Sequence, residues 1–293
     1  MTRQIWFFSI LLLMLLGAGA YGIVSHSGIR ELDLAEAVYT DPLSAPEMPL
    51  YAGVSAKRWN AAGSVSVEEQ DQPVVTAMNQ ILPEQQVFSF LQGPKSWGER
   101  RSWAGEWSNK SIKGNYFGSF GCGLCCMANV YCTLTDYICS PWDMYEYAKA
   151  VSGYSPTRKV GAIGWEDMKV TLQKSGIDCL LYNKPDSYET FQRQIGQAEM
   201  VVVLVCSRND NTYWKSTRGH YVTINLYNEQ TDEIFLSDPG NPDRNRSWIP
   251  LRYVYDALKT ASQYQYLLVE GYEEENNLWK QNGIDEAWVA PVY

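Results

Sequence analysis

Hydrophobic and polar positions divide the chain into stretches of different kinds. Residues 5–24, IWFFSILLLMLLGAGAYGIV, are uncharged and mostly apolar. A helix of that length, at about 1.5 Å per residue, spans about 30 Å, the thickness of a bilayer core. Arg3 precedes the run, and Glu31, Asp33 and Glu36 follow it. That charge order places the bulk of the chain outside the cytoplasm. The same stretch also reads as a cleaved signal peptide, with Ala18-Gly19-Ala20 as its small-residue site. Residues 25–87 are punctuated by Pro42, Pro46, Pro49, Pro73 and Pro83 and hold only short helical patterns, as a stalk would. Trp97, Trp103 and Trp107 then mark the start of a folded domain, either as core or as the wall of a substrate groove.

From Gly121 onward the pattern is regular. Met127, Val130, Tyr131 and Leu134 recur at helical spacing and predict a helix over Cys122–Leu134. Ser140-Pro141 predicts an N-cap with proline at the first helical position, opening a helix over 142–151. A helix over Trp165–Lys174 should stop at Gly176, before a short strand over 177–182. Asp186 with Glu189 reads as the capping box of a helix reaching Gln197. The second half changes to strands. MVVVLVC over 200–206 reads as a central strand. Residues 220–227 and Glu233–Ser237 alternate on either side of a turn at 228–232. Asp238-Pro239-Gly240-Asn241-Pro242 breaks the chain, before a helix over 251–260 and a strand over 264–269. Helices followed by a mostly antiparallel sheet define an α+β fold, with the Cys122 helix packed on the sheet. The expected domains are an N-terminal anchor or signal (1–27), a stalk (28–87), the folded domain (88–272) and an acidic aromatic tail (273–293).

Composition narrows the chemistry. Apolar residues at 45% and aromatics at 13% support a true core and exclude a disordered chain. A net charge of −9 without any basic run argues against nucleic acid as a partner. The seven cysteines are an odd number, so full disulfide pairing leaves one thiol over. There are two histidines, His26 and His220. Since His26 sits just after the apolar run, imidazole chemistry in the folded part falls to His220.

Cys122 opens its helix within Gly121-Cys122-Gly123. At such a position, free backbone N–H groups and the helix dipole stabilise a thiolate. The flanking glycines suggest unusual backbone angles or close approach of a substrate backbone. Thiol acyl transfer also needs an imidazole to share the proton and a group that orients it. His220 opens one strand and Asp238 follows the next. If those strands form a hairpin, the two side chains meet at one sheet edge.

Gly121-Cys122-Gly123 entering a helix, Gly219-His220 on a strand and Asp238-Pro239 after the next strand resemble the bacteriocin-processing peptidase-like branch of the papain-like cysteine peptidases. The resemblance covers about 88–272. It implies a papain-like fold with Cys122 as nucleophile, His220 as base and acid, and Asp238 as orienting carboxylate. It also implies a peptide or protein substrate and no cofactor. Leu124 and Cys125 stand where that family commonly has proline and threonine. Its upstream oxyanion glutamine, in a Gln-x-x-x-x-Trp pattern, fits Gln92 to Trp97 if an insertion separates them from Cys122. Aligning Trp107 without a gap places Ser102 there instead. The chain has no Walker-type phosphate loop and one apolar span, so leader-peptide processing by a transporter is not implied.

Three other readings compete. Cys122-Gly-Leu-Cys125 is a C-x-x-C at a helix start, as in thiol–disulfide oxidoreductases, although no βαβ framework surrounds it. Cys122, Cys125, Cys126 and Cys132 could hold a metal, but adjacent helical positions point to different sides. Third, the domain could be a catalytically inactive papain-like binding module at the cell surface. The leading expectation is an extracytoplasmic cysteine peptidase, tethered to the cell membrane by a single span or secreted after cleavage.

Overall fold

The computed structural model describes residues 83–157, 161–207 and 213–293. The apolar run 5–24 and the lead-in through residue 82 lie outside them, as do the anchor, signal and stalk readings. No helix among the described residues is long and apolar enough to cross a membrane.

The helical half follows its pattern closely. Helix α1 is Cys122–Leu134, α2 is Pro141–Ser152 and α3 is Trp165–Lys174. Ser140 caps α2 reciprocally: its hydroxyl accepts from Asp143 N at 3.0 Å, and Asp143 Oδ2 accepts from Ser140 N at 2.7 Å. Gly153 ends α2 and Gly176 follows α3, both in the left-handed region, with φ of 81° and 82°. Strand β1 then runs Ser175–Tyr182, followed by helix α4, Tyr188–Gln197. The cap of α4 is Ser187 rather than Asp186, because Ser187 is the extended residue whose hydroxyl accepts from Thr190 N.

The remaining elements are β2 (Met200–Val205), β3 (His220–Asn228), β4 (Glu233–Ser237), β5 (Ser247–Pro250), α5 (Leu251–Ala257) and β6 (Tyr266–Asn277). They form a six-stranded sheet in the order β1-β6-β2-β3-β4-β5, antiparallel throughout. The fold is therefore α+β. Strand β5 is absent from the sequence reading. Its Trp and terminal Pro sit in a breaker-rich stretch, and an edge strand tolerates proline because one side of its backbone needs no partner.

The continuous apolar run of β2 follows from burial on both faces. Met200, Val202 and Leu204 enter one core together with α1, α2 and α3. Val201, Val203 and Val205 enter a second core with Phe191 and Ile195 of α4 and Leu251 and Val254 of α5. The period-two alternation of a strand divides the residues between these layers. Helix α1 is buried from Cys122 through Cys132, more completely than a one-sided stripe would give, because the sheet lies on one side and α2, α3 and the 87–92 segment cover the rest.

That segment matters for the site. Phe88 N donates to Thr133 Oγ1 and Phe90 N to Asn129 Oδ1, both on α1. Gln92 N donates to Pro239 O at 2.9 Å. Arg246 donates to the carbonyls of Val87 and Glu84. The segment is thus clamped between the helix carrying Cys122 and the loop after Asp238. Trp103 and Trp107 are buried around Phe90, and the Trp107 indole donates to Leu91 O at 2.8 Å. They are core residues, not groove wall. Residues 273–293 begin within β6. Trp279 stacks on Tyr147 with ring centroids 4.4 Å apart, and Val289 exchanges backbone bonds with Trp103 and Ala104.

Candidate active site

Strands β3 and β4 are hairpin neighbours, with Thr223 paired to Ser237 and Ile224 to Leu236. Continuing that register carries Asp238, Pro239 and Gly240 back along the start of β3. His220 Nε2 and Asp238 Oδ1 come to 2.7 Å, in a buried setting. The other carboxylate oxygen of Asp238 accepts from Trp214 Nε1 at 3.0 Å, and Oδ1 also accepts from Gly240 N at 3.1 Å. Asn245 ties this corner to the 87–92 segment: its Oδ1 accepts from Asp238 N and its amide donates to Ser89 O.

Cys122 reaches the same place from the helical layer. It lies close enough for its charge and hydrogen bonding to act on the His220 imidazole. Burial by itself would lower the imidazole's pKa. The charge and hydrogen bond of Asp238, followed by the bond and charge of Cys122, outweigh that and push it up to about 10. Burial would raise the Asp238 carboxyl, but the His220 charge, the bonds from His220 and Trp214 and the Arg244 charge bring it below the usual carboxylate value. The site therefore favours an imidazolium beside the Asp238 carboxylate.

The glycines beside Cys122 are there for packing. Gly121 has φ −76°, which any residue can adopt. A Cβ on Gly121 would lie 2.3 Å from the Phe117 ring, and one on Gly123 would lie 2.6 Å from Ile163 Cγ2. The expectation of unusual backbone angles is thus replaced by close contact with the core. Nor is the approach to α1 a plain loop. Phe117–Phe120 already forms a helical turn, with Gly121 N donating to Phe117 O at 2.7 Å.

Gln92 is buried, and its Nε2 donates to Gly118 O at 2.6 Å, in the turn leading to Cys122. Its Oε1 has no partner. Ser102 is exposed. Of the two sequence candidates, Gln92 is the one brought beside both the Cys122 turn and the Asp238 loop. The residues between Gln92 and Cys122 are taken up by a short helix (Pro94–Gly98), a 3₁₀ turn (Glu106–Asn109) and a two-stranded hairpin.

Trp214, Asn245 and Gly240 are the residues sequence reasoning missed. Trp214 lies in what reads as a polar loop, yet its indole is 2% exposed; the Tyr213-Trp214 pair in polar surroundings is the signal that could have found it. A Cβ on Gly240 would approach His220 Cε1 to 2.9 Å, so glycine here is what leaves room for the ring.

All seven cysteines are free and buried. Burial, then the charges of Cys126 and Cys122, hold the Cys125 thiol well above its ordinary pKa, which does not suit a resolving thiol in a redox pair. No cluster of three metal-ligating side chains occurs among the described residues.

Among solved structures, the chain is similar to the peptidase domain of Streptococcus ComA, described as a bi-functional ABC transporter involved in a quorum-sensing pathway. The match has 11% identity and a TM-score of 0.36, and covers 52% of this chain and 91% of that one. No family model matches the chain, and no curated protein does.

Proposed function

We propose that this chain is a papain-like cysteine peptidase acting on peptide bonds outside the cytoplasm, held at the membrane or released by processing of residues 5–24. The observation that carries the reading is the buried imidazole–carboxylate pair: His220 Nε2 is 2.7 Å from Asp238 Oδ1, with Cys122 near enough to act on the ring. In this reading Cys122 Sγ attacks the scissile carbonyl carbon. His220 gives its proton to the leaving amine, then draws one from the water that hydrolyses the thioester. Asp238 holds the ring and stabilises its charge. Gln92 Nε2 has a second N–H beyond the one given to Gly118 O, and that hydrogen is the side-chain donor offered to the oxyanion. No cofactor takes part. The substrate is a peptide or protein.

A second reading, an inactive papain-like binding module, draws on one observation. Cys122 is 1% exposed and His220 8%, so a substrate must displace part of the cover to reach the thiol. Iodoacetamide labelling of the purified chain across pH 4–9 separates the two. Under the peptidase reading, Cys122 labels selectively well below pH 8, His220→Ala abolishes that selectivity, and a peptide library is cleaved by wild type but not by Cys122→Ser. Labelling of Cys122 no faster than that of the other cysteines, with no cleavage, would overturn the peptidase reading in favour of the module.

A further inference from the structure

Outside the proposed site, the described residues bring sulfur onto sulfur at Cys132 and Cys139. Their Sγ atoms are 3.7 Å apart. Cys132 lies in the last turn of α1, and Cys139 directly precedes Ser140, the N-cap of α2. The connecting turn is fixed independently of the sulfurs. Thr135 Oγ1 donates to Tyr131 O at 2.8 Å and accepts from Tyr137 N at 3.0 Å. The Cys132 sulfur also rests on the backbone of Cys139, 3.3 Å from its nitrogen and 3.4 Å from its oxygen. Both thiols are buried, and neither is part of the Cys122–His220–Asp238 group.

We propose that Cys132 and Cys139 are a disulfide-forming pair that cross-links the end of the cysteine-bearing helix to the cap of the next one. The bond requires the sulfurs to close from contact to about 2.05 Å, a movement within reach of side-chain rotation because the chain has already folded back on itself. The oxidant is a small-molecule disulfide. Its S–S bond accepts two electrons and two protons and becomes two thiols, while the two protein S–H bonds are replaced by one S–S bond. Exchange takes place as the chain folds, while the pair is open to solvent; burial then shields the product from reduction. The proposed location outside the cytoplasm supplies such an oxidising environment. The inference does not depend on peptidase activity.

The test is a peptide map. The full chain is folded from the reduced, denatured state in a buffer of reduced and oxidised glutathione. It is then alkylated under denaturing, non-reducing conditions and digested. The expected result is one cross-linked fragment holding Cys132 and Cys139, with Cys122 recovered alkylated. Alkylation of both Cys132 and Cys139, or linkage of either to a different cysteine, overturns the proposal. A second measurement compares the oxidised and reduced wild type with Cys132→Ser/Cys139→Ser. A short closed loop is worth roughly 5–10 °C in Tm for a domain of this size, so the oxidised wild type should melt above the other two by about that much. Equal melting of oxidised and reduced wild type would remove the cross-link's stabilising role, and the map on wild type requires no variant to fold.

Discussion

Cys122 and His220 meet in one site but are positioned by different means. The cysteine sits on a helix buried through its first three turns, where close packing fixes its start: Phe117 against Gly121, and Ile163, Met168 and Tyr221 against Gly123. The histidine sits at a strand start, where hydrogen bonds fix it through a chain from Asp238 to Trp214, Gly240 and Asn245. Close packing positions a group tightly but gives it no chemistry. A polar network gives the ring its charge and orientation, and it depends on every member being satisfied. The 87–92 segment joins the two systems, because it bonds α1 at Asn129 and Thr133 and the Asp238 loop at Pro239 and Asn245.

The largest effect should come from breaking either partner of the proposed chemistry while sparing its support. Cys122→Ser replaces a sulfur by a smaller atom in a packed position, so the fold should persist. Peptide cleavage should fall by at least about 10³. Retained cleavage in a variant with an unchanged circular dichroism spectrum would show that the reaction lies elsewhere. Next comes the bridge between the two systems. Gln92→Ala removes the Gly118 contact and the proposed oxyanion donor, and kcat should drop about 10²–10³ with KM little changed. A change in KM alone would assign Gln92 to substrate binding rather than to the transition state.

The packing half was the more legible in the sequence. Helical spacing from Met127 to Leu134 defines α1, and the alternation on either side of 228–232 defines the hairpin, because both patterns report which side is buried. The pairing of His220 with Asp238 followed from that hairpin. What escaped was everything held by a single long-range hydrogen bond. Trp214 reaches across 24 residues to Asp238, and Asn245 reaches back 156 to Ser89; neither leaves any periodic trace. Gly121 and Gly123 were visible as glycines, but their reason, contact with Phe117 and Ile163, belongs to tertiary packing. Strand β5 was missed because its pairing with β4 is what makes it a strand, not its own composition.

Two glycine substitutions test whether the division is real. Gly123→Ala forces a methyl group against Ile163 Cγ2 at 2.6 Å and should destabilise the fold by about 1–3 kcal/mol, read as a lower denaturant midpoint. Gly240→Ala forces the His220 ring aside from a contact of 2.9 Å. Its expected effect is on chemistry: roughly a 10²-fold loss in cleavage with little change in midpoint. If Gly240→Ala proves as destabilising as Gly123→Ala, the network corner is a packed core like the helix, and the contrast collapses.

The last expected effect is a change of sign in pH dependence. In the wild type the His220 pKa is raised from 6.5 to about 10. The folded state therefore holds its proton more tightly than the unfolded chain, and the associated stability is fully present below about pH 6.5 and lost as pH rises toward 10. Asp238 acts in the opposite sense: its lowered pKa gives stability that is present above about pH 4 and lost as pH falls through the folded value. Both arms depend on the same carboxylate–imidazole contact. Asp238→Asn removes the acidic arm outright and leaves burial, which opposes protonation, as the strongest remaining influence on His220. The variant's imidazole should then prefer to be neutral when folded, and stability should increase, rather than decrease, as pH rises through about 6.5. Urea midpoints for wild type and Asp238→Asn at pH 5, 7 and 9 give the two slopes directly. Parallel slopes would mean that the Asp238 charge does not govern His220, and the imidazolium could no longer be attributed to the network that surrounds it.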